Sequence, residues 1–192
     1  MYQNGRFSTT LLHFVRGIGM LRQVKPPEPR TMTQLLIVYH SRTGGSLQMA
    51  QAAADAAGQE CETVLKPAQD AGPDDLLAAD GYIFCAPENL AAISGVMKDF
   101  FDRCYYPVLG ELNGRPYAQM ICAGSDGQNA ARQTARIATG WRLREVQAPL
   151  ILCTHAQTPE TILAPKSLTE AELAPCRDLG AAIGAGLSLG VF

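Results

Sequence analysis

"GYIFCAPENLAAISGVMKDFFDR", residues 81–103, changes structural type part-way along. Gly81 to Pro87 is a continuous apolar run, of the length and composition of a strand buried on both faces. From Gly95 the apolar period changes. Met97, Phe100, Phe101 and Cys104 follow at i, i+3, i+4 and i+7, which predicts an amphipathic helix. Between them lies a loop with one proline, one acid and one amide. A buried strand that passes through a polar loop into a helix is the repeating piece of a parallel α/β sheet.

The same alternation extends in both directions. "QLLIVYH" (34–40) predicts a buried strand, and the Ala-rich "GSLQMAQAAADAAG" (45–58) a helix stopped by Gly58. "CETVLK" (61–66) reads as a short strand. "PDDLLAA" (73–79) reads as a brief helix with Pro and acids at its start, where the helix dipole favours them. "YAQMICAG" (117–124) is a strand, "GQNAARQTARIATGWRLREV" (127–146) mostly helix, and "APLILCT" (148–154) the fifth strand. The tail from Ser167 is helical, with Ser167/Glu170 or Thr169/Glu172 as its capping box. Leu179, Ile183 and Leu187 face its core, and Pro175 must lie near the first turn or kink the helix. Five strands alternating with five helices specify a parallel sheet covered on both faces. The size suits a doubly wound sheet of five strands. Ligands of such sheets bind beyond the carboxyl ends of the strands, where the strand order reverses.

Composition narrows the class. The chain has 192 residues, 47% apolar and 18% charged, which suits one soluble domain. No apolar run is long enough to span a bilayer. The net charge is −2, but residues 1–32 carry Arg6, Arg16, Arg22, Lys25 and Arg30 against Glu28. The remaining body is therefore acidic, unlike a nucleic-acid binder. Residues 1–32 are Pro-rich at their end and read as an N-terminal extension, dispensable or disordered. A targeting segment is the other reading, and Leu11 to Leu21 could form a short amphipathic helix. The working domain is expected over 33–192. Six cysteines at wide spacings form no CxxC or Cys/His cluster, so no metal is expected. Free buried thiols suit a reducing compartment, the cytoplasm.

Three loops leave the carboxyl ends of the first, third and fourth strands. "HSRTGGS" (40–46) offers hydroxyls, two glycines and an arginine at a helix start, a combination suited to a phosphate. It lacks both GxGxxG and the GK[ST] ending, which argues against a dinucleotide site and against ATP or GTP hydrolysis. The other two are "APENLAAIS" (86–94) and "AGSDGQNA" (123–130). Ser125 is not in a GxSxG elbow, and His155 reads as a solvated loop histidine, so a hydrolase is discounted. A response-regulator-like domain would need acids where this chain has His40-Ser41 and Cys85-Ala86.

Taken together, the loops resemble the flavodoxin-like flavoproteins, in particular the NAD(P)H-dependent FMN reductases and quinone reductases. Pro87 followed by "ENLAAISGVMKDFFDR" and the Ser41, Thr43, Gly44 and Ser46 pattern carry the resemblance, which runs from about Leu35 to the C-terminus. It implies strand order 2-1-3-4-5. It also implies FMN, with its phosphate on Ser41, Arg42, Thr43, Gly44, Gly45 and Ser46. The ring would lie between Pro87, Glu88, Asn89, Leu90 and Ala91 on one side and Gly124, Ser125, Asp126 and Gly127 on the other. Catalysis would belong to the flavin, with no catalytic side chain.

Two functions share such a scaffold. Flavodoxin-type electron carriers sandwich the ring between aromatics, and neither loop here has one. That favours an enzyme that takes hydride from NAD(P)H and reduces a quinone or other small acceptor. An electron carrier without NAD(P)H activity is the alternative. Arg132, Arg136, Arg142 and Arg144 are read either as a basic set on the fourth helix for a nucleotide phosphate or as a solvated face. Lys98, Asp99, Asp102 and Arg103 are read as surface or pairing residues, and Trp141 as packing or subunit interface. By resemblance, a dimer or tetramer is expected, with no nucleic-acid partner.

Overall fold

The computed structural model describes residues 32–192. Residues 1–31 of the extension, with the Leu11–Leu21 helix, therefore fall outside the described residues. The elements run β1 (Gln34–Tyr39), α1 (Gly45–Ala57), β2 (Glu62–Pro67), α2 (Pro73–Ala78), β3 (Gly81–Asn89), β4 (Ala92–Ile93) and α3 (Gly95–Tyr105). They continue with β5 (Pro116–Ala123), α4 (Gln128–Gly140), β6 (Arg144–Glu145), β7 (Leu150–Cys153), α5 (Pro159–Leu163) and α6 (Glu170–Ser188).

The sheet order is β2-β1-β3-β5, with β6 and β7 both on the outer edge of β5. β6 meets the start of β5 (Pro116↔Arg144), and β7 its end (Met120↔Leu150 to Ala123↔Cys153). They are two pieces of one fifth strand, parallel to the rest. Pro149, which has no N–H for a ladder, lies in the gap. The arrangement is the flavodoxin-like doubly wound sheet in order 2-1-3-4-5. β4 is an addition to it, antiparallel to the end of β3.

Alternation along each strand divides the core. Leu36, Val38, Tyr82 and Phe84 face α3 and α4, whereas Leu35, Ile37, Ile83 and Cys85 face α1 and α6. The first layer is aromatic. Phe84 lies within 6.4 Å, centroid to centroid, of Tyr82, Phe100, Phe101, Tyr117 and Trp141. Trp141 is fully buried, and its indole N–H donates to Tyr105 O at 3.2 Å. Packing is its role. The second layer sets alanines and cysteines among Leu, Ile and Met side chains. A Cβ on Gly180 would collide with the backbone carbonyl of Ala53, so α6 can lie this close to α1 only with glycine there. Burying an aliphatic or aromatic side chain contributes about 1.5–3 kcal/mol, so these two layers dominate the stability.

Several expectations change. The fourth helix ends at Gly140, and Arg142 sits at positive φ in the following turn. Arg144 is on β6, so only Arg132 and Arg136 remain on α4. A further short helix, α5, follows β7. For α6 the capping box is Thr169/Glu172, and Pro175 falls in the second turn of a continuous helix. Lys98–Asp102 (2.6 Å) and Asp99–Arg103 (2.7 Å) are surface i,i+4 pairs on α3.

Candidate functional site

β1, β3 and β5 are neighbours in the sheet, so the three loops after them emerge side by side at its carboxyl edge. The reversal of strand order falls here, because the chain steps outward from β1 to β2 and then returns to β3.

The first loop ends in Gly44, which caps α1 at φ +94°. Only glycine adopts that conformation without steric cost. The Gly44 N–H donates to Ser41 Oγ at 3.1 Å, which folds the loop on itself. The first-turn amides of an α-helix have no partner within the helix. Here the first turn has no acidic residue and no side-chain cap. That geometry, with its positive dipole end, suits a phosphomonoester. The three hydroxyls are not equivalent. Ser41 and Thr43 are half-buried, but Ser46 Oγ is enclosed beside the Cys122 thiol. A Cβ on Gly45 would stand 2.6 Å from Cys122 Sγ, so the loop rests directly on the sheet.

The second loop is a tight hairpin rather than an irregular loop. β3 continues through Glu88 and Asn89, which pair with Ile93 and Ala92. The two turn residues, Leu90 and Ala91, have φ of +51° and +57°. Such two-residue turns match the twist of the strands but favour Asn and Gly. Leu90 is fully exposed at the tip.

The third loop ends in Gly127, which caps α4 at φ +78°. A Cβ there would stand 2.6 Å from Ile151 Cγ2. Ser125 and Asp126 are exposed.

Side chains lace the second loop to the third. Glu88 Oε2 accepts from Gly127 N–H (2.9 Å), and Asn129 Nδ2 donates to Ala91 O (2.6 Å). Gln133 Oε1 accepts from Ile93 N–H (2.9 Å). Glu88 Oε1 is buried without a partner. His40 ties the first strand to α3, with Nδ1 2.8 Å from Oγ of Ser94, which is fully buried. Burial, then the nearby Arg42 charge, holds the His40 imidazole below its ordinary pKa, so it is neutral at pH 7. A cleft of about 510 Å³ opens beside this pair, walled by Tyr39, Leu47, Pro67 and Val96. His155 is exposed in the loop after β7.

Sequence reading found the positions of all three loops. It missed the hairpin, the side chains Asn129 and Gln133 that fasten it, and Lys166, whose N–H bonds the first loop at Thr43 O. Gln133 stands one helical turn after Asn129 on the same face, a spacing that would have suggested a shared partner.

Residues 55–157, more than half of the chain, match the family model for NADPH-dependent FMN reductase. The chain belongs to that family. The matched range contains the second and third loops and begins after the first. A flavodoxin from Aquifex aeolicus is 36% identical over 96 residues, 49% of this chain and 50% of that protein, so the chain matches only half of that relative. Among solved structures, a flavodoxin from the domain Archaea superposes with a TM-score of 0.63 at 16% identity, over 81% of this chain and 99% of the other. A flavodoxin, WrbA-like protein from Agrobacterium tumefaciens superposes with a TM-score of 0.59 at 20% identity, over 79% and 95%. These structures establish the flavodoxin-like fold of this reductase-family chain. Among the described residues no helix is long and apolar enough to cross a membrane. No group of three His, Cys, Asp or Glu there could hold a metal ion.

Proposed function

We propose that this chain binds FMN across the three loops and passes reducing equivalents from NAD(P)H through it to a quinone or another small acceptor. The observation that carries the reading is the family match over 55–157, which takes in both loops that would flank the ring. The phosphate would lie on residues 41–46, against Gly44 and the open amides of α1. The ring would lie between residues 87–91 and 124–127, whose backbones the Glu88–Gly127, Asn129–Ala91 and Gln133–Ile93 bonds hold in place before any ligand arrives. Such preorganisation lowers the ordering cost of binding.

When bound, the flavin supplies the hydride and electron chemistry, and the protein supplies orientation and electrostatics. Neither flanking loop has an aromatic residue to cover the ring. A face open to a second substrate favours an enzyme over a carrier. The carrier reading draws on the flavodoxin from Aquifex aeolicus. By family resemblance we further expect a dimer or tetramer. The cysteines of the chain are free, consistent with a reducing, cytoplasmic setting.

The test is a visible spectrum of the FMN-loaded chain during anaerobic addition of NADPH or NADH. Rapid bleaching, and recolouring on adding a quinone, is the expected result. Retained flavin that neither nucleotide bleaches would replace the enzyme with the carrier.

A further inference from the structure

The connection from β7 to α6 is fastened to the first loop. Lys166 N–H donates to Thr43 O at 2.7 Å. Gln48, on α1, clasps the same segment. Its Nε2 donates to Lys166 O (2.7 Å) and Gly44 O (3.0 Å), and its Oε1 accepts from Leu168 N–H (3.0 Å). The Lys166 stem crosses Gly45, with Cβ and Cγ 3.7 Å from where a Cβ on that glycine would stand. Its ammonium donates to the carbonyls of Thr161 (2.7 Å), Ile162 (3.0 Å) and Ala164 (2.7 Å) at the end of α5. Among the described residues it makes no ion pair with a carboxylate. The positive charge is thus held by neutral carbonyls at the end of α5, on a residue whose N–H and stem rest on the first loop.

We propose that Lys166 is the specificity residue that makes this site prefer a phosphorylated flavin over an unphosphorylated one. Its fixed charge attracts the phosphate, while its backbone N–H and stem hold the loop in shape. The inference rests on the reading that residues 41–46 take the phosphate. Arg42 also lies in the loop, but it is exposed, so its charge is screened by water and salt. A phosphomonoester carries a charge of about −1.5 to −2 at pH 7, and riboflavin has none at that position. The ratio of the two affinities therefore isolates the charge from any general loosening of the loop.

The experiment titrates FMN and riboflavin, by flavin fluorescence, into the full-length wild type, Lys166→Met, Lys166→Arg and Gly45→Asp. Lys166→Met is expected to lose about tenfold in FMN affinity, or about 1.4 kcal/mol, with riboflavin unchanged and Lys166→Arg close to wild type. For the wild type alone, whatever the fate of the variants, the FMN preference is expected to grow from pH 5 to 7, as the phosphate gains its second charge. It is also expected to shrink with added salt. Equal loss of both flavins in Lys166→Met, or a preference insensitive to salt and pH, would overturn the role of Lys166. If Gly45→Asp abolishes the preference while Lys166→Met keeps it, the loop assignment stands and the lysine falls. If the wild type shows no preference and Gly45→Asp changes nothing, both fall.

Discussion

Glu88 Oε2 accepts the backbone N–H of Gly127 at 2.9 Å, so a single side chain joins the end of β3 to the start of α4. A hydrogen bond to a charged group contributes about 1.5–3 kcal/mol. Glu88→Ala is expected to lose about that much stability in urea unfolding and to weaken FMN binding, because the two loops flanking the ring come apart. Glu88→Gln keeps an acceptor for Gly127 and should recover at least half of the loss. Equal stability of all three proteins would show that the bond does not hold the loops.

Leu90 and Ala91 occupy a turn that asks for Asn and Gly. A non-glycine residue in the left-handed region costs roughly 1–2 kcal/mol. The double variant L90N/A91G is therefore expected to raise the unfolding free energy by about 1–2 kcal/mol. If it also weakens acceptor reduction, the exposed Leu90 side chain serves the site, and the strain is tolerated for that reason.

Gly45 is required by the thiol beneath it. Gly45→Ala would place a methyl 2.6 Å from Cys122 Sγ, and overpacking of this kind costs about 1–3 kcal/mol. Removing the sulfur in Gly45→Ala/Cys122→Ala should restore most of that loss. A double-mutant cycle measures the coupling, and an additive result would contradict the contact.

Stability should fall on the alkaline side. Burial pushes the thiols of Cys104, Cys122 and Cys176 up to about 11, against 9.0 for an ordinary thiol. The unfolded chain therefore releases these protons at lower pH than the folded one. The stabilisation is complete below pH 9 and is lost as pH rises through 11. His40 acts at the other end. Its lowered folded pKa gives stability present above 6.5 and lost as pH falls through the folded value. Urea midpoints across pH 5–11 check both limbs. Exchanging the three cysteines for Ala should make the alkaline limb shallower, with the remainder carried by Cys61, Cys85, Tyr82 and Tyr117, whose protons burial also holds.

The alternation of strands and helices was legible because local periodicity and burial agree along this chain. The run from Gly81 into the Met97, Phe100, Phe101 and Cys104 face declares a strand, a crossing and a helix. The candidate loops followed from topology, since the first, third and fourth strands had to end together. The hairpin was hidden because Leu90 and Ala91 carry none of the residues that signal a left-handed turn. The helix after Gly127 was read too long because Trp141 and Leu143, both buried, extend its apolar pattern into the turn. Lys166 was invisible for another reason. Its meeting with Thr43 and Gln48 joins residues more than a hundred positions apart, and no local pattern encodes that contact.

The most direct measurement is a crystal structure of the chain grown with FMN. The account expects the phosphate on residues 41–46 beneath Lys166, and the ring between Pro87–Ala91 and Gly124–Gly127, with one face open. FMN bound elsewhere, or a ring whose phosphate makes no contact with residues 41–46, would contradict it.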